Sequence, residues 1–320
     1  MEIGLVSIVI PNWNGSSLLS SCLQSIRSQS FSSVEVIVVD NGSTDGSVEL
    51  VRSHFAYVKT IPVEVNRGFA FAVNAGIRES NGEFIALVNN DVELDSGWVA
   101  AMVDAMRRHA DAGSVACKML RQDSRSTIDA VGDGLTRGGS PLTLGSGEED
   151  RGQFDREGAA FGACAGAALY RTSMLDRIGH FDESFVSYYE DADLSFRAQL
   201  AGFQCVYTPR AVCYHKRGAT AKNLRNDYPV RMQERNLTGF QIKNFPAGVL
   251  MRRLFSILGS RVRRLLRLTL AGSGRAAWSG LFEGLGLIPE MIRARGQVQK
   301  QKTVSNEYLI SFMGKSFSSS

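Results

Sequence analysis

The order of apolar and polar segments in the first 120 residues is the feature that most constrains the fold of this chain. Three apolar runs have the length of buried strands: LVSIVI at 5–10, VEVIVVD at 34–40 and EFIALV at 83–88. The segments between them carry apolar residues at helical spacing, as at 16–29. This alternation predicts an α/β fold, with a mostly parallel central sheet and helices on both faces.

Polar residues follow each of these three strands at the point where it ends. They are Pro11 with Asn12, then Asp40, then the triplet Asn89–Asp91. Parallel strands place their carboxyl ends along one edge of a sheet, and open α/β sheets bind ligands at that edge. We therefore expect these groups to converge on one crevice.

Composition and motifs narrow the kind of site. The chain has 320 residues, of which 44% are hydrophobic, so it can bury a sizeable core. It has no GxGxxG after the first strand, no GxxxxGKS/T and no GxSxG, which disfavours a dinucleotide site, a P-loop and a nucleophile elbow. Five cysteines without CxxC spacing suit reduced cytosolic thiols, and a zinc site is disfavoured. The first residues predict a strand and not a signal peptide, and no apolar run is long enough to span a membrane.

Carboxylates at strand ends remain as candidate chemical groups. Asp91 is the only charged residue of its triplet, and a carboxylate suits a hard divalent cation, whereas Asn89 and Asn90 suit ligand hydroxyls. Asp40 either accepts a hydrogen bond from a ligand's ring N–H or caps the next helix. A lone histidine such as His215 is usually a packed or surface residue, and it becomes a candidate cation ligand only if it faces Asp91.

The segment YYEDADL at 188–194 holds three carboxylates in four positions. The helix dipole favours acidic residues in a first helical turn, which accounts for one or two of them. Because crowded carboxylates raise one another's pKa, Glu190 or Asp191 is the candidate for a general base.

Charge is distributed unevenly along the chain. Residues 245–320 carry 12 Lys and Arg against 3 Asp and Glu, a balance of +9, whereas residues 1–244 have a balance of −5. Residues 249–270 have a basic amphipathic pattern, which indicates either docking on an anionic membrane surface or packing on the acidic body. The apolar side of this pattern consists of Leu250, Met251, Leu254, Phe255, Leu258, Val262, Leu265 and Leu266.

Five segments, in this order and spacing, resemble inverting family-2 glycosyltransferases, above all the rhamnosyl- and galactofuranosyltransferase branch of cell-surface polysaccharide synthesis. They are VSIVIPNWNG, VIVVDNGSTDGS, NRGFAFAVNAGI, FIALVNNDVELDSGW and YYEDADLSFRAQLAGF. The resemblance covers about residues 5–220 and implies a GT-A fold, a nucleotide-sugar donor and Mg²⁺ or Mn²⁺. The family's metal motif often reads DxD, whereas Asn89 stands here in place of the first carboxylate.

The resemblance also implies roles for individual residues. Those that would bind the nucleotide sugar are Pro11, Trp13, Asp40, Asn66, Arg67, Gly68, Asn89 and Asn90. Trp13 would stack on the base, and Asp40 would accept a hydrogen bond from the N3–H group of that base. Asp91 and His215 would hold the cation on the diphosphate. Asp191 would be the general base.

The remaining implied positions are Glu190, beside this base, and Gly166, on the acceptor side. We assign residues 1–244 to a GT-A domain, with a nucleotide-sugar-binding half at about 1–120 and an acceptor-side half at about 121–244. Residues 245–320 are assigned to a basic helical extension.

The expected reaction transfers a sugar from dTDP-rhamnose or a UDP-sugar to a hydroxyl of a glycan or lipid-linked glycan by one metal-assisted displacement. One alternative is a sugar nucleotidyltransferase, but such an enzyme usually has a basic phosphate loop, and the segment NWNGSS does not supply one. The other alternative is a non-catalytic sugar-nucleotide or glycan-binding module. We expect a cytoplasmic protein, peripheral on the inner face of the cell membrane, and no nucleic-acid partner.

Overall fold

The computed structural model describes residues 1–216 and 227–314, and it begins with alternating strands and helices. These elements are β1 (Glu2–Asn12), α1 (Ser16–Arg27), β2 (Val34–Asn41), α2 (Ser47–His54), β3 (Lys59–Val63), α3 (Phe69–Arg78), β4 (Gly82–Val88), β5 (Val92–Leu94), α4 (Trp98–Arg108) and β6 (Ala112–Arg121). The predicted βαβ pattern is confirmed in this region.

The next region is less regular. It contains β7 (Ile128–Ala130), β8 (Asp133–Leu135), β9 (Pro141–Thr143), β10 (Gly158–Ala160), β11 (Ala167–Arg171), α5 (Thr172–Ile178), α6 (Glu190–Leu200) and β12 (Gln204–His215). Residues 121–160 are rich in Gly, Ser and Asp with little periodicity, a pattern that predicts loops or an irregular excursion, but the structure places four short strands there. Three-residue strands are too short to show an alternating pattern in a Gly- and Ser-rich sequence.

The main sheet has the strand order β10-β12-β6-β11-β4-β1-β2-β3. β1 pairs in parallel with β2 and β4, β2 with β3, and β6 with β12, whereas β11 runs antiparallel between β4 and β6. The predicted mostly parallel α/β sheet is therefore confirmed. Both faces are buried, which explains why its strands are nearly continuous apolar runs.

Helices cover the two faces with separate sets of side chains. Ile8 and Ile10 of β1 pack in the cluster that contains α1, α2 and α4. Val9, which points the opposite way, packs with α3, α5 and α6. This sandwich fixes the carboxyl ends of β1, β2 and β4 along one edge.

The carboxyl-terminal part is helical. It consists of α7 (Tyr228–Asn244), α8 (Ala247–Leu268), α9 (Gly274–Gly286), α10 (Ile288–Lys300) and α11 (Asn306–Ser311). Phe240 and Phe245 pack with Phe196 of α6, so these helices share a hydrophobic core with the sheet-containing part. Among the described residues, no helix combines the length and apolar character needed to cross a membrane. Residues 315–320 of the predicted extension lie outside the described residues.

Candidate functional site

A cavity of about 1110 Å³ opens at the carboxyl ends of the parallel strands. Its wall includes every residue that the sequence implicated, except Asp40. These residues are Pro11, Trp13, Asn66, Arg67, Gly68, Asn89, Asn90, Asp91, Gly166, Glu190, Asp191 and His215. The structure thus brings together side chains that lie up to two hundred residues apart, and the cavity is large enough for a substantial ligand.

Asp91 and His215 meet because β5 pairs with β12. In this register Val92 lies opposite His215, which places His215 Nε2 3.4 Å from Asp91 Oδ1. The other ring nitrogen, Nδ1, lies 2.6 Å from Asp129 Oδ2. Asp129 therefore orients the ring so that Nε2 faces Asp91, an arrangement common around metal-binding histidines.

The electrostatics of this group favour positive charge. Burial would lower the pKa of His215, but its contacts with Asp129 and Asp91 outweigh burial and raise that pKa to about 9. Nearby, Asn89 Oδ1 is buried and accepts no hydrogen bond from the described residues. Carboxylate, amide oxygen and imidazole form a donor set that fits Mg²⁺ or Mn²⁺, although a cation has to displace a proton from Nε2.

The acidic segment before and within α6 divides into two groups with different surroundings. Glu190 and Asp191 line the cavity. Asp193 is fully buried on another side of the helix, 2.8 Å from Arg197 Nε and 2.8 Å from Lys243 Nζ. Burial would raise the pKa of Asp193, but Lys243 and Arg197 lower it to about 2. Asp193 is therefore a structural anion, and the two cavity carboxyls remain as candidate bases.

Glu190 and Asp191 lie in an environment that disfavours their charge. Burial raises the pKa of Asp191 and outweighs hydrogen bonds from the amides of Ala192 (2.8 Å) and Ala165 (3.4 Å). Burial, together with the charge of Asp191, also raises the pKa of Glu190 well above its usual range. A carboxyl with a raised pKa is suited to accept a proton near neutral pH.

The loop before α6 is strained and held from outside. Tyr188 and Tyr189 have φ of 68° and 71°, a left-handed conformation that is costly for residues other than glycine. Asn236 Nδ2 donates to the carbonyls of Ser187 (2.8 Å) and Tyr188 (2.7 Å). This side chain of α7 thus stabilises the loop that presents Glu190 and Asp191 to the cavity.

Comparison with known proteins identifies the family. The family model described as glycosyl transferase family 2 matches residues 7–179, which is more than half of the chain. The chain belongs to glycosyl transferase family 2. The nucleotidyltransferase and binding-module alternatives are set aside, because the family model and the named relatives indicate a glycosyltransferase.

Two curated relatives illustrate the range of similarity. An N-acetylglucosaminyl-diphospho-decaprenol L-rhamnosyltransferase from Mycobacterium tuberculosis is 30% identical over an alignment of 216 positions that covers 59% of this chain and 69% of that protein. A poly-beta-1,6-N-acetyl-D-glucosamine synthase from Staphylococcus epidermidis is 22% identical over 213 residues, which are 65% and 49% of the two chains.

Solved structures show the likeness of fold. S. aureus TarS has a TM-score of 0.58 at 17% identity, covering 96% of this chain and 54% of that one. The mannosyltransferase PcManGT from Pyrobaculum calidifontis, solved with GDP-Man and Mn²⁺, has a TM-score of 0.52 at 18% identity, covering 96% and 85%. The predicted GT-A fold of this glycosyltransferase is confirmed.

Hydrogen bonds between loops organise the side of the cavity that the resemblance assigns to the nucleotide. Asn41 Nδ2 donates to Asn66 Oδ1 and to the carbonyl of Gly68, each at 3.0 Å. The guanidinium of Arg67 stacks 3.6 Å over the ring of Phe71. These contacts fix the 66–68 turn that the sequence assigned to the nucleotide pocket.

Asp40 lies one layer behind the cavity wall and is only 3% exposed. Its Oδ1 accepts from Asn12 Nδ2 at 2.9 Å, and its Oδ2 accepts from the amide of Ser43 at 3.0 Å. It does not cap α2, where Asp45 instead accepts from the amide of Ser47. The contact of Asp40 with a nucleotide base stays a prediction.

Three cavity residues of the glycosyltransferase had no sequence signal. Asp129 and Asp133 lie in the Gly- and Ser-rich segment, where no spacing distinguishes them from turn residues. Arg264 reaches the cavity from α8 and pairs with the buried Glu234 of α7, a contact that the packing alternative for 249–270 allows but does not specify.

Asp133 extends the acidic part of the glycosyltransferase site. The ligand atoms of Asp133, Cys164 and Asp191 all lie within 4.8 Å of one another. Asp133 Oδ2 is buried without a hydrogen-bond partner among the described residues. Burial, with the charges of Asp191 and Glu190, raises the pKa of Asp133 well above its usual range. These three carboxyls therefore resist simultaneous ionisation.

Proposed function

We propose that this glycosyltransferase moves a sugar from a nucleotide-sugar donor to a hydroxyl of a glycan or lipid-linked glycan, with inversion at the anomeric carbon. The observation that carries the proposal is the division of one cavity between two groups. Asp91, His215 and Asn89 form a donor set for a cation, and Asp191 supplies a separate carboxyl of raised pKa. One-step transfer requires these two functions and no enzyme nucleophile.

The donor would bind with its diphosphate near Asp91. A divalent cation held by Asp91 and His215, when bound, offsets the negative charge that grows on the leaving nucleoside diphosphate. Asp129 keeps the His215 ring oriented for this role, and Asn89 contributes its amide oxygen, which accepts no hydrogen bond from residues 1–216 or 227–314. Mg²⁺ and Mn²⁺ both fit such ligands.

The base and sugar of the donor would occupy the side of the cavity bordered by Pro11, Trp13 and the 66–68 turn. An indole such as that of Trp13 can stack on a pyrimidine. We propose dTDP-rhamnose or a UDP-sugar as donor, with support from the resemblance to a rhamnosyltransferase. Asp40 would either accept a hydrogen bond from the base directly or position Asn12, whose Nδ2 donates to Asp40 Oδ1, to contact the base.

The acceptor hydroxyl would approach Asp191, which takes its proton as the oxygen attacks the anomeric carbon. Glu190 neighbours this carboxyl, whose charge together with burial raises the pKa of Glu190, and Gly166 leaves space on the same wall. Residues 1–244 would form the GT-A domain, in which about 1–120 bind the donor and about 121–244 face the acceptor. The basic extension that begins at 245 would add Arg264 to the cavity.

The named polysaccharide relatives support a role in cell-surface glycan synthesis. If the acceptor is lipid-linked, the reaction takes place at the cytoplasmic face of a membrane, with the protein bound there peripherally.

A donor panel tests this proposal. The purified protein would be mixed with dTDP-rhamnose and UDP-sugars, Mn²⁺ and glycan acceptors, and the products analysed by mass spectrometry. The expected result is a glycosylated acceptor with UDP or dTDP released, and loss of turnover in chelator that added Mg²⁺ or Mn²⁺ restores. Full turnover in chelator would remove the proposed role of Asp91 and His215.

A further inference from the structure

Helix α8 contacts the rest of the protein through its basic side. Arg261 Nη1 lies 3.2 Å from Glu234 Oε2, and Arg264 binds the other oxygen of the same fully buried carboxylate. Ile257 and Leu265 are buried beside these two arginines. Two of the arginines in the basic pattern of this helix, Arg261 and Arg264, therefore bind a buried carboxylate of the protein and do not face solvent freely.

The side of α8 that adjoins Leu265 is apolar and faces solvent. We call this surface the exposed apolar row, which consists of Met251, Leu254, Phe255, Leu258, Val262 and Leu266. Within it Phe255 is 88% exposed and Met251 75% exposed. Six large apolar side chains on one helical stripe are unusual for the surface of a soluble monomer and indicate an interaction site.

The row continues beyond the helix. Leu270, in the turn between α8 and α9, is 89% exposed. Trp278, Phe282 and Leu285 are exposed at helical spacing on α9, which contacts α8. The apolar surface therefore extends over two consecutive helices and their connection.

Exposed arginines border the row on one side. At 100° per residue, Arg252, Arg263 and Arg267 lie beyond the Leu266 edge of the row on α8, and all three are exposed, although Arg252 also pairs with Glu307 of α11. The helix contains six arginines and no acidic residue. An apolar stripe beside a basic stripe is complementary to a bilayer surface, which offers acyl chains beneath anionic phosphates.

We propose that the exposed apolar row and its bordering arginines dock α8 and α9 on the surface of an anionic lipid bilayer. Arg263 and Arg267 contact lipid phosphates, while Phe255 and its neighbours enter the boundary between headgroups and acyl chains. Arg264 leaves the packed side of this helix and lines the catalytic cavity. Docking thus brings the cavity to within about one helix diameter, roughly 10 Å, of the membrane surface.

The exposed apolar row would be the surface by which the protein binds a membrane peripherally. This proposal rests on the proposed function only in assuming that the acceptor is linked to a lipid. Membrane docking itself is measured without substrate. Full-length protein is sedimented with sucrose-loaded vesicles of phosphatidylcholine, with and without 30 mol% phosphatidylglycerol, at roughly 0.1 M salt. The expected result is binding to the anionic vesicles, weakened by salt and at least ten-fold weaker on the neutral ones.

A matched pair of variants tests the apolar contribution. Phe255→Ser should weaken vesicle binding about ten-fold. Ile3→Ser is the control, since Ile3 is 86% exposed but lies on β1, and it should bind as the unmodified protein does. Equal binding of the two variants overturns the proposal.

A second pair tests the basic contribution. Arg263→Gln with Arg267→Gln should weaken binding on the order of 30-fold, about five-fold for each charge. The control is Arg27→Gln with Arg52→Gln, which removes two exposed charges from α1 and α2 and should change little.

Two further results would overturn the docking surface. One is equal binding to neutral and anionic vesicles. The other is sedimentation equilibrium that shows a dimer broken by Phe255→Ser, because a second copy would then cover the row. Normal donor turnover in Phe255→Ser shows that loss of docking is separate from loss of the proposed function.

Discussion

Asp193 and Asp191 have different surroundings, and this difference predicts how much each Asp→Asn substitution changes the free energy of unfolding. Asp193→Asn removes the carboxylate that is shared by Arg197 and Lys243 in the core. Breaking a buried ion pair on one side typically costs about 3–5 kcal/mol. Both cations keep other acceptors, such as Asp182 at 2.6 Å from Lys243 Nζ, so we expect the low end, about 3 kcal/mol.

The pH dependence of unfolding supplies an independent check. The pKa of Asp193 falls from its ordinary value of 3.8 to about 2 in the folded protein. This stabilisation is fully present above pH 4 and is lost as the pH falls through 2. This pKa shift corresponds to about 2 kcal/mol of stability. Acidification should therefore remove about 2 kcal/mol more from the unmodified protein than from Asp193→Asn, which has no carboxyl to protonate at this position.

Urea unfolding of the two variants measures these effects. Asp193→Asn should lower the free energy of unfolding by about 3 kcal/mol. The control, Asp191→Asn, should leave it unchanged or raise it slightly, because burial already disfavours the charge of Asp191. A loss under about 1 kcal/mol in Asp193→Asn, combined with loss of transfer activity, would refute the structural role and add Asp193 to the candidate bases.

Two further predictions concern the cavity. Asp129→Asn should weaken Mn²⁺ binding about 10–100-fold, because the His215 ring loses the carboxylate that orients it. Calorimetric titration of Mn²⁺ with the donor present measures this affinity. An unchanged affinity would show that Asp129 does not orient His215 for metal binding. Asp133→Asn should leave the acid limb of the kcat/KM profile in place, because burial and the charges of Asp191 and Glu190 raise the pKa of Asp133 and keep that carboxyl neutral while the base titrates. A limb that moved to lower pH would show that Asp133 is ionised beside the base.

The edge of the sheet could be predicted from sequence because it depends on local patterns. The apolar runs before Pro11 and Asn89 identify strands, and parallel strands place their ends together. The condition set for His215, that it face Asp91, is met by the β5–β12 pairing. The carboxyl ends of β1, β2 and β4 thus follow from local patterns, whereas the meeting of Asp91 with His215 depends on a pairing between distant strands.

Other parts of the site depend on pairings that leave no local trace. Asp129 contacts His215 across 86 positions, and nothing in the residues around Asp129 marks it. The amphipathic pattern of α8 located its apolar side but not the direction in which it points. Helix periodicity is the same whether that side packs or faces solvent, and the buried charge of Glu234 decides between the two.

The central claim is that Asp191 takes the proton from the acceptor hydroxyl while the donor is held elsewhere in the cavity. The most direct measurement compares Asp191→Asn with the unmodified protein in two assays, calorimetric binding of the donor with Mn²⁺ and transfer to the acceptor. We predict an unchanged donor affinity with transfer reduced by about 10²–10⁴-fold. Near-normal transfer by Asp191→Asn would contradict the account.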